Sequence, residues 1–160
     1  MSFSIRTGSI GDVDRCVDLW TRVIVARDGS DVAAEAMERA HAAFTEPTVR
    51  FAVVGSAPDG FALTLTRDDG VALLSRLCVD PAVTSRGMGA ALVADAVEHA
   101  REAGFQRIEL DVRETNVRAI ALYERAGFAA ASEPWAYDEG DRVVTWALDL
   151  TPSTPASGRR

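Results

Sequence analysis

LCVDPAVTSRGMGAAL, residues 77–92, and NVRAIALYERAGF, residues 116–128, are the stretches on which the fold turns. In the first, an apolar run ends at Asp80-Pro81 and a short loop follows. Gly87-x-Gly89 then opens a segment with helical periodicity, so the order is strand, loop, helix. Backbone N–H groups at a helix start lack intrahelical partners and carry the positive end of the dipole. Glycines there hold no side chain between backbone and anion, and Arg86 adds a full charge. This spacing suits a pyrophosphate held without lysine; the alternative is a glycine-rich helix start packed tightly on a sheet. In the second stretch Asn116 is an N-cap signal. Ala119, Leu122, Tyr123 and Ala126 recur at i, i+3, i+4 and i+7, and Gly127 stops the helix.

Working outward, Phe3–Arg6 predicts a first strand, residues 13–24 a helix, and residues 33–44 a second. Residues 49–54, 61–66 and 71–79 predict strands joined by tight turns, an antiparallel meander. Residues 87–103 read as a helix closed by Gly104. In residues 107–113 Ile108, Leu110 and Val112 alternate with Glu109, Asp111 and Arg113, a strand with one wet face. Residues 128–132 and 142–150 predict the last strands. The order β-α-α-β-β-β-α-β-α-β-β implies an α/β protein with a mixed, mostly antiparallel sheet of about seven strands and helices on both faces. One domain is expected over residues 1–150, with a disordered tail at 151–160.

Composition narrows the chemistry. All 17 basic residues are arginine, which excludes a Walker A lysine, a Schiff-base lysine and a lysine general base. A net charge of −7 disfavours a nucleic-acid partner. Cys16 and Cys78 stand far apart, and His41 and His99 stand alone, so no metal site is expected. No apolar run approaches the roughly 18 residues of a membrane span. The first residues carry no signal-peptide pattern, so a cytoplasmic protein is expected.

Together the two opening stretches resemble the GCN5-related N-acetyltransferase (GNAT) superfamily. Its N-x-x-A-x-x-L-Y-E-x-x-G-F pattern stands in full at 116–128, and its V-D-P strand end at 79–81. Its [QR]-x-x-G-x-[GA] loop falls on 84–89, with Thr84 in place of Gln or Arg. The resemblance implies acetyl-CoA as cosubstrate. Leu77, Cys78 and Val79 would pair with the pantetheine arm. Thr84, Ser85, Arg86, Gly87, Met88 and Gly89 would hold the pyrophosphate, and Asn116 would help position the cofactor. It also implies Tyr123 as general acid and the Val79 amide as the group that polarises the thioester carbonyl. A tyrosine suits the task, since its ordinary pKa of ~10 lies above the ~8.5 of a thiol.

The base is less direct. Many relatives carry a glutamate on the strand before the loop, and residues 71–79 contain no carboxylate. The stretch 110–116 looks like the ribosomal-protein alanine N-acetyltransferases, which have a glutamate where Asp111 stands. Asp111, or a water it orders, is therefore the candidate base; the alternative is a solvated or arginine-paired strand aspartate. Cys78 reads as a buried structural thiol. Trp135 and Tyr137 are candidates for the acceptor pocket, and Trp146 for the core. The implied activity is direct transfer of an acetyl group to a primary amine, on a small molecule or a peptide N-terminus. A non-catalytic acyl-CoA-binding or sensor domain is the alternative. A toxin-type enzyme acting on aminoacyl-tRNA is disfavoured by the acidic charge. A homodimer is left open.

Overall fold

The computed structural model describes residues 3–83, 87–138 and 141–151. In chain order the elements are β1 (Ile5–Thr7), α1 (Val13–Asp28), α2 (Ala33–Ala43), β2 (Thr48–Val54), β3 (Gly60–Asp68), β4 (Val71–Val79), α3 (Met88–Glu102), β5 (Arg107–Arg113), α4 (Val117–Arg125), β6 (Ala129–Ala130), β7 (Trp135–Asp138) and β8 (Asp141–Asp149). They build one eight-stranded sheet in the order β1-β2-β3-β4-β5-β8-β6, with β7 also on β8. Among the described residues the one parallel pair is β4–β5. The tail from residue 152 onward lies outside the described residues.

Each sheet face buries a different part of the chain. On one, Leu92, Val93, Ala96 and Ala100 of α3 pack against Ala62, Leu74, Ile108 and Leu110. On the other, Cys16 and Leu19 of α1 pack against Phe51, Phe61, Leu63 and Cys78. A fully buried leucine such as Leu92 contributes roughly 1.5–3 kcal/mol through apolar burial.

The sheet carries one strand more than the sequence suggests. After Ala130 the chain leaves the edge of β8 but keeps touching it. The Ala131 N–H donates to the Thr145 carbonyl at 2.7 Å, and the Thr145 N–H donates to Ser132 Oγ at 3.0 Å. Pro134 has no N–H to offer a ladder. Pairing resumes at Trp135 opposite Val143, which makes β7 a separate short strand.

Two irregularities position the site. First, β4 and β5 pair only from Val71–Leu73 against Arg107–Glu109; beyond them the strands part. Second, Leu63 pairs with Arg76 while Thr64 pairs with Leu74, so Ser75 is one residue too many on β4. An inserted residue bends a strand and inverts the facing of everything after it. Leu74 accordingly joins the α3 side, whereas Cys78 points to the α1 side and Leu77 and Val79 pack towards α3. Without the bulge, Cys78 would take the place of its neighbours.

Candidate active site

Where β4 and β5 separate, a cavity of about 640 Å³ opens. Leu77 and Val79 line its β4 side and Leu110–Arg113 its β5 side. Gly89 of α3 and Asn116, Ala119 and Tyr123 of α4 close it. The β5-facing edge of Leu77–Val79 has no strand partner among the described residues, so its backbone polar groups need an extended ligand or water.

Tyr123 reaches this cavity because α4 is set by its cap. Asn116 Oδ1 accepts from the Ala119 N–H at 3.2 Å, and the helix presents Tyr123 inward, its ring 6.0 Å from that of Phe128. The side chain is buried, and burial pushes its hydroxyl up to about 12. Among the described residues the hydroxyl has no hydrogen-bond partner. The oxygen is not sealed off: it opens on the cavity, where water or a ligand can meet it.

The residues expected to bind cofactor divide into three groups. Leu77, Val79, Gly89 and Asn116 line the cavity. Gly87 caps α3 with φ +82°, a conformation that favours glycine, and a Cβ built there meets nothing within 4 Å. A Cβ on Gly89 would meet only Leu122 Cδ2, at 3.4 Å. Met88 and Cys78, by contrast, bury their side chains in the two cores and offer a ligand only their backbone. Burial pushes the Cys78 thiol up to about 12, which makes it a poor nucleophile. Thr84, Ser85 and Arg86 lie outside the described residues. The open β4 edge, the bare glycines and the unpartnered tyrosine fit a thioester-bearing pantetheine arm.

Asp111 lines the same cavity, but its carboxylate is occupied. Arg67, reaching across from β3, binds both oxygens, closest at Oδ2. Thr145 Oγ1 donates to Oδ1 at 2.7 Å and accepts from Trp135 Nε1 at 3.1 Å. Arg67 also donates to Glu109 at 2.9 Å, and Glu109 accepts from Arg107 at 2.7 Å. Asp111 is thus an arginine-paired strand aspartate, and it stands in the cavity where a base would act. It is the one carboxylate lining that cavity among the described residues.

Sequence reasoning missed Arg67 and Thr145. Thr145 lies directly across from Asp111 in the β5–β8 ladder, so only strand register reveals it. Arg67 sits two strands from Asp111, beyond the reach of any local pattern. Trp135 does border this network, half exposed. Tyr137 has its side chain outside the described set. Trp146 packs against the α3-side core, with its Nε1 buried and unpartnered.

The site thus consists of two parallel strands that part after three residue pairs, beside a glycine-capped helix. The family follows from comparison. Residues 21–128, more than half of the chain, match the model of the acetyltransferase (GNAT) family, and the protein belongs to it. The chain is 41% identical over 61 residues to a mycothiol acetyltransferase of Propionibacterium freudenreichii subsp. shermanii, covering 38% of this chain and 20% of that protein. It is 38% identical over 61 residues to the [ribosomal protein bS18]-alanine N-acetyltransferase of Escherichia coli, covering 38% of this chain and 41% of that one. The structure of PaiA N-acetyltransferase from Thermoplasma acidophilum in complex with coenzyme A shares the fold, with TM-score 0.71 and 18% identity over 91% of this chain and 98% of that one. The matched segments are thus a minor part of the curated relatives' length. No helix among the described residues is long and apolar enough to cross a membrane.

Proposed function

We propose that this protein is an acetyl-CoA-dependent N-acetyltransferase that acts on a primary amine by direct transfer. The observation that carries this reading is Tyr123, whose side chain is buried while its unpartnered hydroxyl opens on the cavity between β4 and β5. Acetyl-CoA supplies an acyl group activated as a thioester. The open edge of Leu77–Val79 orients its extended arm, the backbone at Gly87–Gly89 receives the diphosphate, and Asn116 borders it. Tyr123 Oη holds its proton well above neutral pH and gives it to the departing thiolate, whose ordinary pKa is ~8.5. The Val79 N–H is the candidate donor to the carbonyl oxygen.

The amine proton leaves by way of Asp111 or a water beside it. Because Arg67 and Thr145 already occupy the carboxylate, taking that proton directly means giving up one of those contacts. Amines with a larger neutral fraction near pH 7 are therefore the better acceptors: peptide α-amino groups at ~8, about one in ten neutral, rather than lysine-like amines at ~10.4, about one in 2,500. The same engagement of Asp111 favours a second reading, an acyl-CoA-binding domain without turnover.

The experiment is thiol release from acetyl-CoA over a panel of amines, amino acids, polyamines, peptides and aminoglycosides, with the melting temperature read alongside. A ligand that binds only the folded state raises it. Both cysteines are buried, with thiols pushed up to about 12, so a thiol reagent reads only coenzyme A. Turnover establishes the enzyme; stabilisation by acetyl-CoA without turnover establishes the binding domain; neither defeats both readings.

A further inference from the structure

We infer that the acceptor carries a carboxylate as well as its amine, and that this carboxylate docks in an arginine-lined chamber beside the transfer cavity. The inference rests on the proposed acetyltransferase reading and specifies its substrate.

The chamber, about 180 Å³, lies between the end of α1, the start of α2, the bulged part of β4 and the ends of β5 and β8. It shares Trp20, Ile24, Arg27 and Arg113 with the transfer cavity, so the two adjoin through that wall. Arg39 and Arg76 complete a set of four guanidiniums drawn from four different elements. Such convergence from α1, α2, β4 and β5 is a product of the tertiary fold, not of a solvated charge run.

Three carboxylates, Asp28, Glu35 and Asp141, also line the chamber, one fewer than the guanidiniums; Arg39 donates to Glu35 at 2.9 Å, and Asp28 is shared between two arginines. Asp28 accepts from Arg27 Nε and Nη2, both at 3.0 Å, and from Arg113 Nη1 and Nη2 at 3.1 and 3.0 Å. Its acceptor positions are filled, yet it divides one negative charge between two cations; Asp141 adds a contact to Arg113 at 3.0 Å. Chiefly through Arg27, Asp28 is held down at about 2 and stays ionised across the physiological range. Arg27 Nη1 has no hydrogen-bond partner among the described residues. Arg27 lines both spaces, and that nitrogen is a donor still to be used. A guanidinium with spare N–H groups binds carboxylates strongly and directionally.

Charge sorts acceptors the same way. Besides Tyr123 and the engaged Asp111, the titratable groups lining the transfer cavity among the described residues are Arg27, Arg113 and Arg118. A polyamine or a lysine-rich peptide meets like charge there. A molecule with amine and carboxylate a few atoms apart sets the amine near Tyr123 and the anion against Arg27. The arginines also disfavour the protonated amine, which eases the demand on Asp111. The chamber's volume suits a carboxylate with a few carbons and excludes a folded partner.

The test uses the full chain and acceptors matched except at the carboxylate: L-amino acids, their amides, and the amines left after decarboxylation. Rates are compared per neutral amine across pH 6–9. The acids are expected to show kcat/KM at least tenfold above both analogues, through a lower KM. Arg27→Gln is expected to bring that ratio towards one, raising KM for the acids. Arg39→Gln, at the chamber rim, serves as the second variant with a smaller loss should Arg27→Gln not fold. Turnover of amines with no preference for the acids overturns the inference and leaves the acetyltransferase reading standing. A ratio unchanged in both variants overturns the chamber as its origin, and no turnover of any acceptor overturns the inference together with the acetyltransferase reading on which it rests.

Discussion

Replacing Tyr123 with phenylalanine removes one oxygen, and the structure separates what that costs catalysis from what it costs folding. The hydroxyl has no partner among the described residues, so the folded state loses no hydrogen bond with it. The ring stays in its contact with Phe128. Stability at pH 7 should hold within about 0.5 kcal/mol, since the oxygen makes no protein hydrogen bond and opens on the cavity rather than on the packed core. If Tyr123 supplies the thiolate's proton, kcat should fall by roughly 10²–10⁴-fold, about 2.7–5.4 kcal/mol of barrier at 1.36 kcal/mol per tenfold. Acetyl-CoA affinity should barely move, because the proton is needed only as the thiolate develops. The pH dependence adds a second signature. Burial raises the tyrosine from ~10 in the unfolded chain to about 12 in the fold. The contribution it makes to stability is therefore complete below pH ~10 and is lost as pH climbs through ~12, by about 2.7 kcal/mol in all. The phenylalanine variant lacks this loss and should outlast the wild type near pH 11. Steady-state thiol release, titration calorimetry with acetyl-CoA and thermal melts at pH 7 and pH 11 measure all three. Near-normal kcat in the variant, or a wild-type alkaline limb below pH 10 assignable to Tyr123, would refute the reasoning.

Gly89→Ala should fold and bind acetyl-CoA, because its Cβ meets only the flexible end of Leu122; Gly89→Asp should fold and lose binding through charge, and equal affinities in a calorimeter would make the loop purely structural. Arg67→Met should cost about 1–2 kcal/mol in denaturant melts, between the values for exposed and buried pairs. It should also raise the relative rate on high-pKa amines by freeing Asp111, and an unchanged ratio would mean that Arg67 does not restrain it. Gly8→Ala should destabilise strongly, since its Cβ would stand 2.4 Å from the Phe51 ring; an unaltered melting temperature would contradict that packing. Asp12 is held well below the carboxylate range by Arg6, and Asp28 is held near 2 by Arg27. Their stabilisation is present above pH ~4 and is lost as pH falls towards 2. Arg6→Gln should move the acid unfolding midpoint, followed by tryptophan fluorescence, to higher pH, and an unmoved midpoint would remove Asp12 from the account.

What could be read from the chain alone was whatever is local. The Asn116 cap, the α4 stripe ending in Tyr123 and the Gly87–Gly89 helix start each lie within one turn or two of backbone. Periodicity and capping reveal such features because neighbouring residues determine them. The alternation of Ile108, Leu110 and Val112 likewise puts Asp111 on the opposite face of its strand, because successive side chains along a strand point to opposite sides. Tertiary structure decided everything that depends on register or on reach between strands. The single extra residue at Ser75 inverts β4 and sends the Cys78 thiol away from the cavity, and nothing in VALLSRLCV marks where it falls. β7 exists because the edge of β8 offers hydrogen bonds to a stretch too short to show a period. The pairing of Asp111 with Arg67 joins residues 44 positions apart. The shared grip of Arg27 and Arg113 on Asp28 closes a span of 85. Side chains that distant meet only after the sheet is ordered, so the sequence could nominate Asp111 but could not show that a guanidinium already holds it.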